Sequence, residues 1–376
     1  MDKKLEYLII LDIFLGTIHM DEIKLCKYIL SLLLQMYVLF RILTAVKRDI
    51  YAPKALERYY IIVLCIFLVG MIFAVLGVDL ELIVNRVFPL LSMFGYYLFI
   101  DEKAHVDIDY VIRKFIKLYI LFAFVIDVDS FCYLFIGKSI WLPISWMGFR
   151  FSGPFGDPNF MAIFSGVVFI VVWNIKDGLV KHRKIALSIL IVNLLLATAL
   201  STLILIPVSF LLTKPFGKCS NIQKQMLVLS VYLWFMSVYA IYEEDIMNFG
   251  VNMLQYVYGD KSLAEIKYHS LAIRFDTQLG ALKVFFANIL GQGPRTIVPL
   301  LEHDTHNSYV SIAFEDGIFG FLLILLTLRN RRVKKVQNIV GTFLMLSALL
   351  LNVHETTIYS MFIIMQKYNL KSESVF

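Results

Sequence analysis

His303-Asp-Thr-His306-Asn-Ser-Tyr309 runs directly into a long apolar stretch. A histidine that is neutral near pH 7 is the usual general base for a hydroxyl, which makes His306 a candidate proton acceptor. His303 and His306 are three residues apart, a spacing that could hold a metal on a helix, but no third ligand of the HExxH kind accompanies them. The plainer alternative is a helix start capped by Asn307 or Ser308. Two arginines offer complementary chemistry. Arg274 lies in a segment where Leu271, Phe275, Leu279, Leu282, Phe286 and Ile289 recur at helical spacing, with Arg274, Thr277, Gln278 and Asn288 off that stripe. The pattern predicts a helix over 269–290 lying on a membrane surface with its apolar face down, ended by Gly291-Gln-Gly293-Pro294. The Arg274 guanidinium either anchors that helix or takes a phosphate in its bidentate fork. Arg150 opens Arg150-Phe-Ser-Gly-Pro-Phe-Gly-Asp-Pro-Asn159, whose glycines and prolines require tight turns. Asp157 or Asn159 is placed to cap the helix that follows, and Arg150 either snorkels to lipid phosphate or binds an anion in a cavity. Glu315 stands about 12 Å along the stretch after Asn307, where an acid faces a polar cavity or pairs with a cation such as Arg274 or Arg150. Arg86, Asp127 and Asp129 fall near expected outer span ends, whereas Asp12, Gln35 and Arg41 read as structural or snorkelling groups.

These residues have to be positioned by elements of an unusual kind. Of 376 residues, 59% are hydrophobic and only 17% charged, with a mean hydropathy of +0.76. A soluble chain is about half apolar and about a quarter charged, so two or three soluble domains are excluded. The composition predicts an all-α, polytopic integral membrane protein, 1–376 forming a single transmembrane domain. A transmembrane β-barrel is excluded because its strands alternate apolar and polar residues. Candidate spans cover 5–20, 24–43, 59–78, 80–100, 113–135, 160–175, 185–200, 201–213, 226–242, 307–328, 336–352 and 355–370. Lys3 and Lys4 precede the first run as in a signal peptide, but Asp12 interrupts it, so an uncleaved first span is expected. Cys26, Cys65, Cys132 and Cys219 show no metal or disulfide spacing. The net charge of +6 resides in short loops and carries no nucleic-acid signal.

Twelve spans place both termini on one side. Lys47, Arg48, Lys54 and Arg58 share one loop; Lys176, Lys181, Arg183 and Lys184 another; Lys214, Lys218 and Lys224 a third; Arg329, Arg331, Arg332, Lys334 and Lys335 a fourth. Counting spans puts all four loops on one face, which the positive-inside rule makes cytoplasmic. Loops 136–159 and 243–306 then face outward. No Walker loop or GxGxxG is present, so chemistry is expected at the outer face. Ile185–Thr213 carries no charge and would make about 43 Å of helix, too long for one upright span. Two short helices turning near Ser201-Thr202 are therefore expected, around a cavity open to the outside.

Together these features resemble the O-antigen ligase and polymerase superfamily of bacterial surface-polysaccharide assembly. The resemblance covers 148–328. It rests on Arg150-Phe-Ser-Gly-Pro-Phe-Gly-Asp-Pro-Asn159, on Arg274 opening a helix that ends in Gly291-Gln-Gly293, and on His306-Asn-Ser-Tyr-Val…Glu315-Asp-Gly317-Ile-Phe-Gly320. In one place the chain departs from the family: Thr202 stands where the paired short helices usually turn on an arginine. Arg86, Arg150 and Arg295 are the candidate substitutes.

The resemblance implies a metal-independent glycosyltransferase without a cofactor. Its donor is a glycan on undecaprenyl diphosphate, used at the outer, periplasmic face of the bacterial inner membrane. An acceptor hydroxyl attacks the anomeric carbon with inversion. Arg274, aided by Arg150, stabilises the diphosphate leaving group, and His306 serves the acceptor hydroxyl. Asn159, Gln278, Asn307 and Glu315 are expected to bind substrate. The Gly-Pro-Phe-Gly-Asp-Pro-Asn wording resembles polymerases of O-antigen or capsular polysaccharide, with a chain-length regulator and a flippase as candidate partners. The alternatives are a ligase that transfers glycan to lipid A-core, and a transporter or flippase without chemistry.

Overall fold

The computed structural model describes most of residues 3–16, 65–77, 108–140, 150–174, 180–213, 221–259, 261–293, 296–327 and 335–350, with isolated residues between them. The expected spans at 80–100 and 355–370, most of 24–43, part of 59–78, and Arg86 and Arg295 lie outside the described residues. Those described are helical, and no strand occurs among them.

In chain order the helices are α1 (Lys3–Gly16), α2 (Ile108–Ile136), α3 (Pro158–Asn174), α4 (Arg183–Ala197), α5 (Leu200–Thr213), α6 (Asn221–Ile241), α7 (Glu243–Tyr258), α8 (Lys261–Ala287), α9 (Ile297–Leu301), α10 (Ser308–Thr327) and α11 (Lys335–Ser347). Two of them, over Tyr110–Ile136 and Gln223–Ile241, are long and apolar enough to cross a membrane; Pro158–Asn174, Leu200–Thr213 and Asn338–Ser347 are shorter apolar segments.

Local chemistry sets the helix ends. Asp157 Oδ1 accepts the Asn159 N–H at 2.6 Å, and Pro158 occupies the first helical position, where a missing N–H costs nothing. α4 stops at Thr198, which takes a left-handed conformation (φ 46°) and returns its N–H to Leu195 O at 3.0 Å. The uncharged stretch does form two helices, but the turn falls at Thr198–Ala199 rather than at Ser201-Thr202, and Thr202 is buried inside α5.

The main core joins α1 to α5, α10 and α11, with Phe115, Tyr119, Phe155, Phe164 and Phe343 fully enclosed. A Cβ on Gly166 would come within 2.8 Å of Phe343 Cζ, so α3 and α11 approach closely there because the residue is glycine. A second cluster, of Tyr232, Met236, Ala281, Ile297, Val310 and Phe314, binds α6, α8, α9 and α10 together. The outward faces remain apolar: Leu121, Phe135, Leu195, Leu211, Trp234 and Ile241 are all exposed.

α8 departs from the sequence expectation. It runs from Lys261 to Ala287 rather than over 269–290; Thr277, Gln278 and Ala281 are buried, Phe275, Leu279 and Leu282 of the apolar stripe pack against the second cluster, and Leu271 and Phe286 are exposed. Its polar arc faces inward because the hydrogen-bonding groups of the 305–307 segment lie there.

Candidate functional site

Three distant segments converge. The first is the turn before α3. Arg150 Nε donates to Ala197 O at 3.4 Å and its Nη2 donates to Asn159 Oδ1 at 3.1 Å. Phe151 N donates to Leu196 O at 3.1 Å, so the turn is held against the end of α4. Asn159 thus orients Arg150, and Asp157 caps α3.

The second segment is the middle of α8. Burial disfavours the charged form of the Arg274 guanidinium; the Asp157 carboxylate opposes this, Arg150 adds to it, and Asp304 opposes it. The carboxylates facing Arg274 are therefore Asp157 and Asp304, not Glu315 as the sequence had left open. One turn on, Gln278 is a pin. Its Oε1 accepts from Tyr232 OH at 2.7 Å and from Asn307 Nδ2 at 3.5 Å, and its Nε2 donates to Thr305 O at 2.7 Å. Both ends of this amide are occupied by protein, so its place in the structure is that of an anchor between α6, α8 and the 305–307 segment.

The third segment carries His306. Asn307 Oδ1 accepts from Tyr309 N at 3.0 Å and Val310 N at 3.2 Å, capping α10 as its type and position predicted. His306 takes a left-handed backbone conformation (φ 48°), which is uncommon for a non-glycine residue although histidine is among those that adopt it more often. Its N–H donates to Asp304 Oδ1 at 3.4 Å. Burial lowers the imidazole pKa below 6.5, Arg274 lowers it further, and Asp304 and Asp157 pull the other way. Arg150, Asp157, Arg274, Asp304 and His306 thus act on one another electrostatically across a gap of more than a hundred residues in sequence. His303 is exposed and is not among the groups that act on His306.

Glu315 lies elsewhere, at a break in α10. Gly317 has φ 62° and ψ −149°, a backbone region restricted to glycine, and the chain 289–293 docks into the opening. Gln292 N donates to Phe314 O at 2.8 Å, Gly293 N to Glu315 O at 3.0 Å, and Ile318 N to Ile289 O at 2.8 Å. Backbone meets backbone: a Cβ on Gly291 would stand 2.5 Å from Glu315 O, and one on Gly317 2.5 Å from Ile289 O. The Gly-Gln-Gly turn and the Glu-x-Gly motif are thus two halves of a single junction. It fixes the end of α8 to α10 and, through them, Arg274 to His306.

Sequence reasoning had Asp157 only as a cap and Asp304 only as part of the His303–Tyr309 run. Neither signalled a partner for Arg274, because nothing in their spacing connects them to it. No group of three or more His, Cys, Asp or Glu suited to a metal occurs among the described residues. No family model matches the chain, and no curated protein or solved structure matches it.

Proposed function

We propose that the chain is a polytopic membrane glycosyltransferase that extends a glycan carried on undecaprenyl diphosphate, at the outer face of the bacterial inner membrane. The observation that carries this reading is the convergence of Arg150, Arg274 and His306, with Asp157 and Asp304, from three separate segments. Exposed apolar faces on α2, α4, α5 and α6 support a lipid environment, since soluble surfaces rarely carry large contiguous apolar areas.

In this mechanism the donor diphosphate lies against Arg274 and Arg150. Two guanidiniums placed before the reaction stabilise the negative charge that grows as the glycosidic C–O bond to phosphate breaks. Asp157 and Asp304 act on the Arg274 guanidinium, and the donor diphosphate would compete with them for it. Arg150 acts on Arg274 electrostatically, so it can serve where Thr202 replaces the family's arginine. The acceptor hydroxyl loses its proton to neutral His306 while its oxygen forms the new bond to the anomeric carbon.

The lowered pKa of His306 favours this role. An imidazole whose folded pKa lies below 6.5 is neutral through the neutral range, and it stops accepting protons only as pH falls below that folded value. The acid limb of the rate profile is therefore expected below pH 6.5. Asp304→Asn removes an influence that raises the pKa, so the limb should move to still lower pH. An unmoved limb in Asp304→Asn would detach the titration from His306. His306→Asn keeps a residue that tolerates the left-handed backbone but is not a base. It should lose about 10²–10⁴ in turnover, whereas exposed His303→Ala should remain close to wild type. Equal losses from both, restored by added divalent metal, would indicate a metal site.

Topology provides a separate check. The loop containing Lys218 is expected in the cytoplasm and Lys261 outside, so single cysteines at these positions should differ in labelling by an impermeant thiol reagent. Labelling at 218 in cells with a permeabilised outer membrane would contradict the arrangement of α4 and α5 as a pair that returns to its starting side.

To test the function itself, a deletion strain is complemented and its surface polysaccharide run on a gel. Single repeat units on core in the deletion, and ladders on complementation, support a polymerase; bare core indicates a ligase. One observation favours a transporter: α10 is broken at Gly317 beside Glu315 and Asp316, and transporter sites use broken helices. The opening is filled by backbone of 289–293, which gives it a packing role instead.

A further inference from the structure

α7 presents three faces. Ile246, Gly250, Val251 and Leu254 are half-buried on the side toward α8, where Tyr268 packs so closely that a Cβ on Gly250 would meet its ring at 2.6 Å. Glu244, Asn248, Asn252 and Gln255 form a polar arc. Between these, Tyr242, Phe249, Met253 and Tyr256 follow one another at intervals of seven, four and three residues, a single helical stripe. They are exposed by 54, 66, 53 and 90% respectively.

We infer that this stripe of α7 lies in the outer leaflet of the membrane, seated at the boundary between lipid headgroups and acyl chains. The inference rests on the reading of α6 as a membrane span. Continuity identifies the occupant: α6 exposes Val231, Trp234 and Ile241, and only Tyr242 separates its end from the start of α7. The lipid-facing surface of α6 therefore runs on into the stripe. α7 is not itself a span, because it is 16 residues long and its first turn holds Glu243, Glu244 and Asp245. Tyrosines at both ends of the stripe, with phenylalanine and methionine between, suit the interface, where an amphipathic ring reaches both water and chain. α7 contains no lysine or arginine, so apolar burial and not attraction to anionic lipid holds it there. In this position α7 would brace the α7–α8 hairpin at a fixed height and set Arg274 at the depth of a lipid-borne diphosphate.

The test uses the full chain with Cys26, Cys65, Cys132 and Cys219 replaced by serine. Single cysteines at Met253, Tyr256, Gln255 and Trp234 carry nitroxide labels in phosphatidylcholine vesicles. Labels at 253 and 256 should collide with oxygen several-fold more than with a water-soluble nickel chelate, as the label at 234 does; the label at 255 should show the reverse preference. Adding anionic phosphatidylglycerol or salt should change none of these. Nickel preference at 253 and 256 with oxygen preference at 234 would place the stripe in water and overturn the inference while leaving the span intact. Nickel preference at 234 would remove the span and the inference with it. Exclusion of both reagents at 253 and 256 would mean that protein covers the stripe, which also overturns it.

Discussion

Arg274→Ala is expected to abolish polymer formation at unchanged protein level, and Arg274→Lys to restore little of it. Loss of one positioned donor to developing charge typically costs about 10²–10³ in rate. Lysine keeps the charge but presents a point cation where a planar fork is needed. The structure adds a reason for a large effect: Arg274 is half-buried and both Asp157 and Asp304 act on it, so the alanine variant leaves two carboxylates at the site without that cation. Repulsion of the diphosphate then adds to the loss of stabilisation. The triple variant Arg274→Ala, Asp157→Asn, Asp304→Asn should recover donor binding relative to Arg274→Ala alone, though not turnover. Ladders of normal length from Arg274→Ala would leave the residue as an interface anchor.

Gly317→Ala should cost the most stability. The native backbone at this position is open only to glycine, and forcing a side chain into such a region costs on the order of 1–3 kcal/mol. The new Cβ would also strike the backbone of Leu290 and Ile289, which is hydrogen-bonded to the break and cannot move aside without breaking the junction. Gly280→Ala is the control. It lies inside α8 with an ordinary backbone, and its Cβ would make only a normal 3.5 Å contact with Leu301. Thermal melts in detergent should show a marked fall for Gly317→Ala and little or none for Gly280→Ala. Equal melting of the two variants would show that the break does not hold α10 to α8.

The helical architecture could be read from the sequence because apolar runs at span length permit little else. Helix starts were legible where a short polar side chain precedes the run, as at Asp157 and Asn307, since an Asx side chain there satisfies an otherwise orphan N–H. The turn at Thr198 was not legible. Threonine is a poor candidate for a left-handed residue, and no glycine or proline marks the position. The inward contacts of α8 were legible only in part. Periodicity locates the apolar stripe but not what covers each part of it: Phe275, Leu279 and Leu282 pack against the second cluster, Leu271, Phe286 and Ile289 are exposed, and Thr277 and Gln278 are buried beside it. The break at Gly317 was not legible because nothing in Glu315-Asp316-Gly317 shows that the Gly291-Gln-Gly293 turn, well upstream, docks into it. Of the site, His306, Arg274 and Arg150 were nominated by type and motif. Gln278, Asn307 and Asn159 were nominated as substrate ligands, and in the structure their side chains pin the 305–307 segment, cap α10 and orient Arg150.

We propose that Arg274 and His306 together drive glycosyl transfer from a lipid diphosphate. This is tested most directly with purified protein in phosphatidylcholine nanodiscs, supplied with a lipid-diphosphate-linked repeat unit and followed for both glycan length and released lipid diphosphate. Wild type should form one new glycosidic bond for each lipid diphosphate freed, without added metal and in the presence of a chelator, while Arg274→Ala and His306→Asn should release none above background. Wild-type protein that binds the lipid-linked glycan yet neither lengthens it nor frees the diphosphate, or variants that do so at the wild-type rate, would contradict the account.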